Sequence, residues 1–202
     1  MTIPNTSVEF FDKQFQHQVS AGELVLNPFE QAALPHLRGR VLDFGCGMGN
    51  LAVAAAERGC SVLALDASPA AIRHLQSRAE AASLDIHAIE ADLRHYPIVG
   101  EFDTIVSIGL LMFFDCPTAV RRLADLRARV CAGGTLIVNV LIDGTTYLNM
   151  FAADEYCLFA RSEMEQQFAD WHIVHSEFSE FAAPDDKIKS FTTLIVQKPL
   201  AA

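Results

Sequence analysis

Short apolar runs alternate with amphipathic stretches along most of the chain. Runs over 40–44, 61–66, 85–90, 102–107 and 134–141 are rich in apolar residues and have the length of buried strands. The segments 28–37, 49–58, 69–82 and 116–130 read as helices around them. Pro28, following Asn27, and Pro69 each fall in the first turn of such a helix, where a missing N–H costs nothing. Ser162 and Glu165 have the spacing of a capping box and predict a helix over 162–169. The last two apolar runs, 172–181 and 190–197, flank Pro184-Asp185-Asp186 and predict a hairpin. Strands separated by helices need crossover connections. The expected fold is therefore α/β: a mostly parallel seven-stranded sheet with helices on both faces and a C-terminal antiparallel hairpin.

The chemistry concentrates where the first strand meets its helix. Val41-Leu42-Asp43-Phe44 ends a strand on a carboxylate, and Gly45-Cys46-Gly47-Met48-Gly49 leads into Asn50 and an alanine-rich helix. Glycine at alternate positions lets a ligand touch the main chain. The helix N-terminus points free N–H groups back at that loop. A second strand, Ser61 to Asp66, ends on an acid about twenty residues further on, where a ribose diol is held in doubly wound sheets. The spacing is G-x-G-x-G rather than the G-x-G-x-x-G of dinucleotide sites. Asp43, two residues before the first glycine, would repel a pyrophosphate and favour an ammonium. S-adenosylmethionine carries an ammonium, a sulfonium and a ribose diol but no phosphate, so it suits two acids better than NAD does.

Taken in order, these segments resemble class I S-adenosylmethionine-dependent methyltransferases. Asp43-Phe44-Gly45-Cys46-Gly47-Met48-Gly49 is similar to their first motif and Leu65-Asp66-Ala67-Ser68-Pro69 to their second. Glu90-Ala91-Asp92-Leu93 resembles the third, Phe102 to Ser107 the fourth strand, and Cys131 to Val138 the glycine turn into the fifth. The resemblance implies a Rossmann-like fold and S-adenosylmethionine as cofactor, with S-adenosylhomocysteine as product. It implies backbone contacts from Gly45, Cys46 and Gly47 to the methionyl part, with Asp43 supporting the loop or holding the ammonium. Asp66 and Ala67 would meet the ribose, Asp92 and Leu93 the adenine, and Ser107 and Gly109 the region beneath the sulfonium; Asn50 completes the expected cofactor set.

Further segments resemble the tellurite-resistance methyltransferases. These are Phe10-Phe11-Asp12-Lys13-Gln14-Phe15, Leu110-Leu111-Met112-Phe113-Phe114, and Phe159 to Met164 followed by Trp171. The resemblance implies one domain over 1–202. Residues 1–27 are its lid-like segment, 40–141 its cofactor-binding core, and 142–202 its substrate-side segment and hairpin. The family's His-Arg pair and later Arg are absent, however. The corresponding stretch here reads Glu180-Phe181-Ala182-Ala183-Pro184-Asp185-Asp186-Lys187. Fold and donor are untouched by that departure, but tellurite itself is thrown into doubt as acceptor.

Composition narrows the alternatives. A formal net charge of −10 over 202 residues argues against a nucleic-acid partner. The basic stretch with Arg121, Arg122, Arg127 and Arg129 also contains Asp125 and reads as a solvated helix face. No apolar run reaches the roughly 18 residues of a membrane span. No signal-like segment opens the chain, so a cytoplasmic protein is expected. Cys46, Cys60, Cys116, Cys131 and Cys157 lack CxxC spacing and read as reduced thiols, with no metal site. The expected partner is a small-molecule methyl acceptor, a chalcogen oxyanion, thiol or other soft nucleophile, and the expected state is a monomer or weak homodimer. No catalytic base emerges from spacing: His172 and His175 fall on the sixth strand, and His17 lies in the lid-like segment. The rivals are a nicotinamide-dependent oxidoreductase and a non-catalytic S-adenosylmethionine-binding regulatory domain. Against the oxidoreductase, Tyr96, Tyr147 and Tyr156 are not followed by lysine four residues on.

Overall fold

The computed structural model describes residues 25–152 and 155–200. The aromatic cluster Phe10, Phe11 and Phe15, His17, and nearly all of the lid-like segment 1–27 lie outside the described residues.

The strands are β1 (Arg40–Phe44), β2 (Ser61–Asp66), β3 (Ile86–Glu90), β4 (Phe102–Ile108), β5 (Val130–Leu141), β6 (His172–Ala183) and β7 (Lys187–Gln197). They form one sheet in the order β3-β2-β1-β4-β5-β7-β6. β1 is central: Leu42 lies between Leu63 of β2 and Ile105 of β4, all three strands parallel. β7 runs antiparallel between β5 and β6, so the expected hairpin closes one edge of the sheet. The helices are α1 (Pro28–Ala33), α2 (Asn50–Ala56), α3 (Pro69–Ala81), α4 (Cys116–Arg129) and α5 (Arg161–Gln166).

Burial on both faces explains the near-continuous apolar runs of the parallel strands. On one face Leu42, Phe44, Ile105, Leu136 and Val138 pack with Leu123 and Leu126 of α4. On the other, Val41, Val62 and Ala64 pack with Ala52 and Ala55 of α2 and Ile72 and Leu75 of α3. Each such leucine, isoleucine or phenylalanine contributes about 1.5–3 kcal/mol relative to exposure.

Several expectations are corrected by competing local chemistry. The predicted helix 28–37 is α1 followed by a 3-10 turn, Leu34–His36, because Pro35 has no N–H to carry the α-helical ladder on. Its start is a full capping box: the Asn27 side chain accepts from Glu30 N, and the Glu30 carboxylate accepts from Asn27 N. The capping box expected at Ser162 does not form. Ala160 caps α5 without a side-chain bond, and Glu165 instead accepts from the Ser176 hydroxyl of β6. β5 begins at Val130 rather than at 134, with a register shift against β4 between Phe102 and Thr104.

Arg122 is not on a solvated face. It is 4% exposed, lies 5.0 Å over the Phe44 ring, and donates to Asp125 and to the Tyr96 carbonyl. Nor are all the cysteines free thiols. Cys116, the first residue of α4, is disulfide-bonded to Cys157, while Cys46, Cys60 and Cys131 are free. Among the described residues no helix is long and apolar enough to cross a membrane, and no group of three metal-ligating side chains gathers.

Candidate functional site

The carboxyl ends of parallel strands carry polar groups that no neighbouring strand can satisfy, and there the chain forms a cavity of about 420 Å³. That volume suits a small-molecule site. Its floor is the loop from β1 to α2. Gly45 has φ +90°, and a Cβ there would meet the Leu110 side chain at 2.9 Å. Gly45 N and Cys46 N both donate to Leu65 O at the end of β2, which fixes the loop against the neighbouring strand. Gly49, with φ +72°, starts α2.

Asp66 ties two turns together. One carboxylate oxygen accepts from Gly47 N at 2.8 Å and the other from Ser68 N at 2.8 Å. The hydroxyl of Ser68 in turn caps α3 by accepting from Ala71 N. Both Asp66 oxygens are thus engaged at the cavity edge, where the carboxylate also lines the wall.

Asp43 is in a different situation. It ends β1 at 5% exposure, and among the described residues its Oδ2 has no hydrogen-bond partner. The nearby loop N–H groups of Gly45 and Cys46 are already held by Leu65 O. Burial pushes its carboxyl up to about 8, and the charges of Glu30 and Asp66 push the same way. Glu30, also on the cavity wall, is raised by burial despite its hydrogen bond at the α1 cap. The Cys46 thiol is held well above its usual range, first by burial and then by Asp43 and Asp66, so it stays protonated.

Asp92 lines the cavity but is engaged. Arg94 gives it paired bonds from Nε and Nη2 at 2.9 and 3.0 Å, and His95 adds a third contact. The Arg94 hydrogen bonds hold its carboxyl down at about 2. Leu93 beside it is 3% exposed and reaches the same wall. Asn50 accepts from Arg78 and also lines the cavity.

Ten of the eleven residues expected from sequence meet at this one cavity: Asp43, Gly45, Cys46, Gly47, Asn50, Asp66, Ala67, Asp92, Leu93 and Gly109. Ser107 does not reach its surface. It is fully buried within β4, and the wall there is formed by Ile108 and Gly109. Met112 and Phe113 do line it; His172, His175 and Arg161 do not. Arg161 stacks on Phe178 instead, and His175 pairs with Glu177.

Sequence reasoning missed the far wall: Phe29 and Glu30 of α1, Asn139 of β5, Met150, and Lys189 and Phe191 of β7. A usable signal existed for two of them, since Lys189 and Phe191 are two apart on a strand and share a face.

Residues 41–134 match the family model described as a methyltransferase domain. An uncharacterized protein of Mycobacterium tuberculosis is 41% identical over 96 residues, covering 47% of this chain and 34% of that protein. The chain thus spans about a third of the length of the first curated relatives it matches. TehB from Haemophilus influenzae superposes with a TM-score of 0.72 at 20% identity, over 86% of this chain and 62% of TehB. The N-methyltransferase NodS from Bradyrhizobium japonicum, in complex with S-adenosylhomocysteine, superposes with a TM-score of 0.69 at 17% identity, over 94% and 98% of the two chains. Residues 41–134 thus match a methyltransferase domain, and the chain shares the Rossmann-like fold of TehB and NodS. Among solved structures its fold resembles that of TehB.

Proposed function

We propose that this chain binds S-adenosylmethionine and transfers its methyl group to a small, soft nucleophile. One observation carries the reading: beside the glycine loop, the buried Asp43 carboxyl has an unpartnered oxygen with Glu30 and Asp66 close by, an arrangement that an ammonium donor satisfies and a phosphate, which only accepts, does not. The residues fit the group on their own terms. Asp43 has a buried acceptor atom waiting for a donor, which an α-ammonium supplies. Asp66 organises the loop and lines the cavity at the end of β2, where a ribose diol would be held. Gly45, Cys46 and Gly47 offer main chain, Ala67 and Leu93 apolar contact, and Asn50 and Gly109 complete the wall. Asp92 would accept from the adenine amino group with whatever capacity Arg94 leaves. Ser107 supports β4 from behind rather than touching the ligand.

S-adenosylmethionine, when bound, supplies a methyl group on a sulfonium leaving group. The chain's own contribution is alignment and exclusion of water. Asp43 would accept the ammonium's hydrogen bond and give up its own proton to solvent on binding. Met112, Phe113, Phe114 and Leu110 form an apolar wall above the strand ends. Among the described lining residues the titratable groups are already committed: the Cys46 thiol is held protonated, Asp43 would serve the cofactor, Glu30 accepts from Asn27 N in the α1 cap, and Arg94 and Asp92 hold each other. The acceptor therefore has to arrive already nucleophilic, as a thiolate, a chalcogen oxyanion or a similar anion, and positioning supplies the rate. Asn139 Oδ1, buried and without a partner among the described residues, is available to a donor on the ligand. The acidic balance favours a small molecule over nucleic acid, a monomer or weak homodimer suffices, and use of a cofactor made inside cells supports a cytoplasmic location.

The experiment is release of S-adenosylhomocysteine across tellurite, selenite and small thiols. Product with an acceptor supports methyl transfer. Binding of the cofactor with no turnover across the panel favours the regulatory-domain reading instead.

A further inference from the structure

Resting on that methyl-transfer reading, we propose that Lys189 selects the acceptor: a compact apolar molecule carrying one negative charge. Lys189 lies on β7 beside Phe191, and both reach the cavity. Phe191 pairs with Leu141, the last residue of β5, so Lys189 stands beyond the end of that strand. In the sheet order β7 is three strands from β1 and four from β2. At about 4.8 Å per strand the Lys189 backbone is roughly 14 Å from the strand of Asp43 and roughly 19 Å from that of Asp66. Its charge thus lies toward the end of the cavity away from Asp43 and Asp66, while Glu30 of α1 is tied into its helix cap.

Among the described residues no carboxylate pairs with Lys189. Its Nζ lies 5.0 Å from the centroid of the Tyr147 ring, a contact that steadies a cation without cancelling it. The other cation on the wall, Arg94, is taken by Asp92. The cavity that Lys189 shares has much apolar lining, including Phe29, Met112, Phe113, Met150 and Phe191. Phe29 packs on Phe191 at 5.0 Å, which closes this end with aromatic surface. A half-buried ammonium above such a wall, in a chain of net charge −10, recognises an anion whose body is apolar.

The test uses the full chain loaded with S-adenosylhomocysteine and two matched probes, 3-phenylpropanoate and its neutral amide, with binding followed by ligand-observed NMR. A charged hydrogen bond of about 1.5–3 kcal/mol corresponds to roughly ten- to hundredfold tighter binding of the acid. Lys189→Met should bring acid and amide level, Lys189→Arg should keep most of the preference, and S-adenosylhomocysteine should bind all three proteins alike. Equal binding of the two probes to the wild type, failure of both to bind, or a preference that survives Lys189→Met would overturn the proposal. Weakened S-adenosylhomocysteine binding in Lys189→Met would overturn it too, by assigning the lysine to the cofactor's carboxylate. Failure of wild type to bind S-adenosylhomocysteine would instead strike at the methyl-transfer reading.

Discussion

Binding of S-adenosylmethionine should expel a proton from Asp43, and Asp43→Asn should abolish that release. Free of ligand, the carboxyl is raised from 3.8 to about 8, mainly by burial. At pH 7 it is therefore about 90% protonated. An ammonium about 4 Å away, at an effective dielectric of about 20, favours the ionised form by about 4 kcal/mol. That is worth about three pKa units and would bring the carboxyl to about 5 in the complex. Binding at pH 7 should then release about 0.9 proton, and affinity should rise up to about tenfold from pH 6 to pH 7. Below pH 7 an ordinary α-ammonium, with a pKa of about 7.7–8.0, keeps its own proton, so the slope reports on the protein. Calorimetry in two buffers of different ionisation enthalpy reads the number of protons directly. No release at pH 7 in the wild type, or the same release from Asp43→Asn, would refute the assignment of the ammonium to this carboxylate.

The same group makes folding pH-dependent. The unfolded chain ionises Asp43 near 3.8, while the folded chain keeps the proton until about 8. This group therefore costs stability progressively as pH rises between those values, by up to about 5 kcal/mol. Asp43→Asn should gain on the ligand-free wild type between pH 5 and pH 8, read from urea midpoints; a gap that narrows with pH contradicts the burial argument. Reducing the disulfide between Cys116 and Cys157 frees a loop with a sequence separation of 41. The chain-entropy argument allows a loss of at most about 4 kcal/mol. Melting with and without a dithiol, with Cys116→Ser as control, should show a lower Tm on reduction only in the wild type. An unchanged wild-type Tm would mean that the bond adds nothing.

The parallel half of the fold was legible because its strands are buried on both faces. Val41-Leu42 and Val62-Leu63-Ala64-Leu65 can be little else once glycine and an acid follow. The glycine loop and Asp66 were legible for the same reason: their conformation is set within a few residues, and Gly45 has room for nothing larger beside Leu110. What failed depended on partners far away in sequence. Ser162 and Glu165 satisfy a capping rule locally, yet Ser176 takes the Glu165 carboxylate across the sheet edge. Arg122 looks like one of four surface arginines until Phe44 is placed beneath it. Cys116 and Cys157 carry no spacing signal for their pairing. The far wall of the cavity was hidden because a hairpin's sequence does not say which of its strands will dock on β5. Insertion of β7 there, rather than β6, brings Lys189 and Phe191 to the site.

Binding of S-adenosylmethionine and of NAD to the same wild-type protein, measured by calorimetry beside Asp66→Ala, tests the central claim most directly. The acids around the glycine loop predict saturable binding of S-adenosylmethionine, no detectable binding of NAD, and at least a tenfold loss in Asp66→Ala, about the 1.5–3 kcal/mol of a charged hydrogen bond. Binding of NAD in preference to S-adenosylmethionine, or binding of neither by a folded protein, would contradict it.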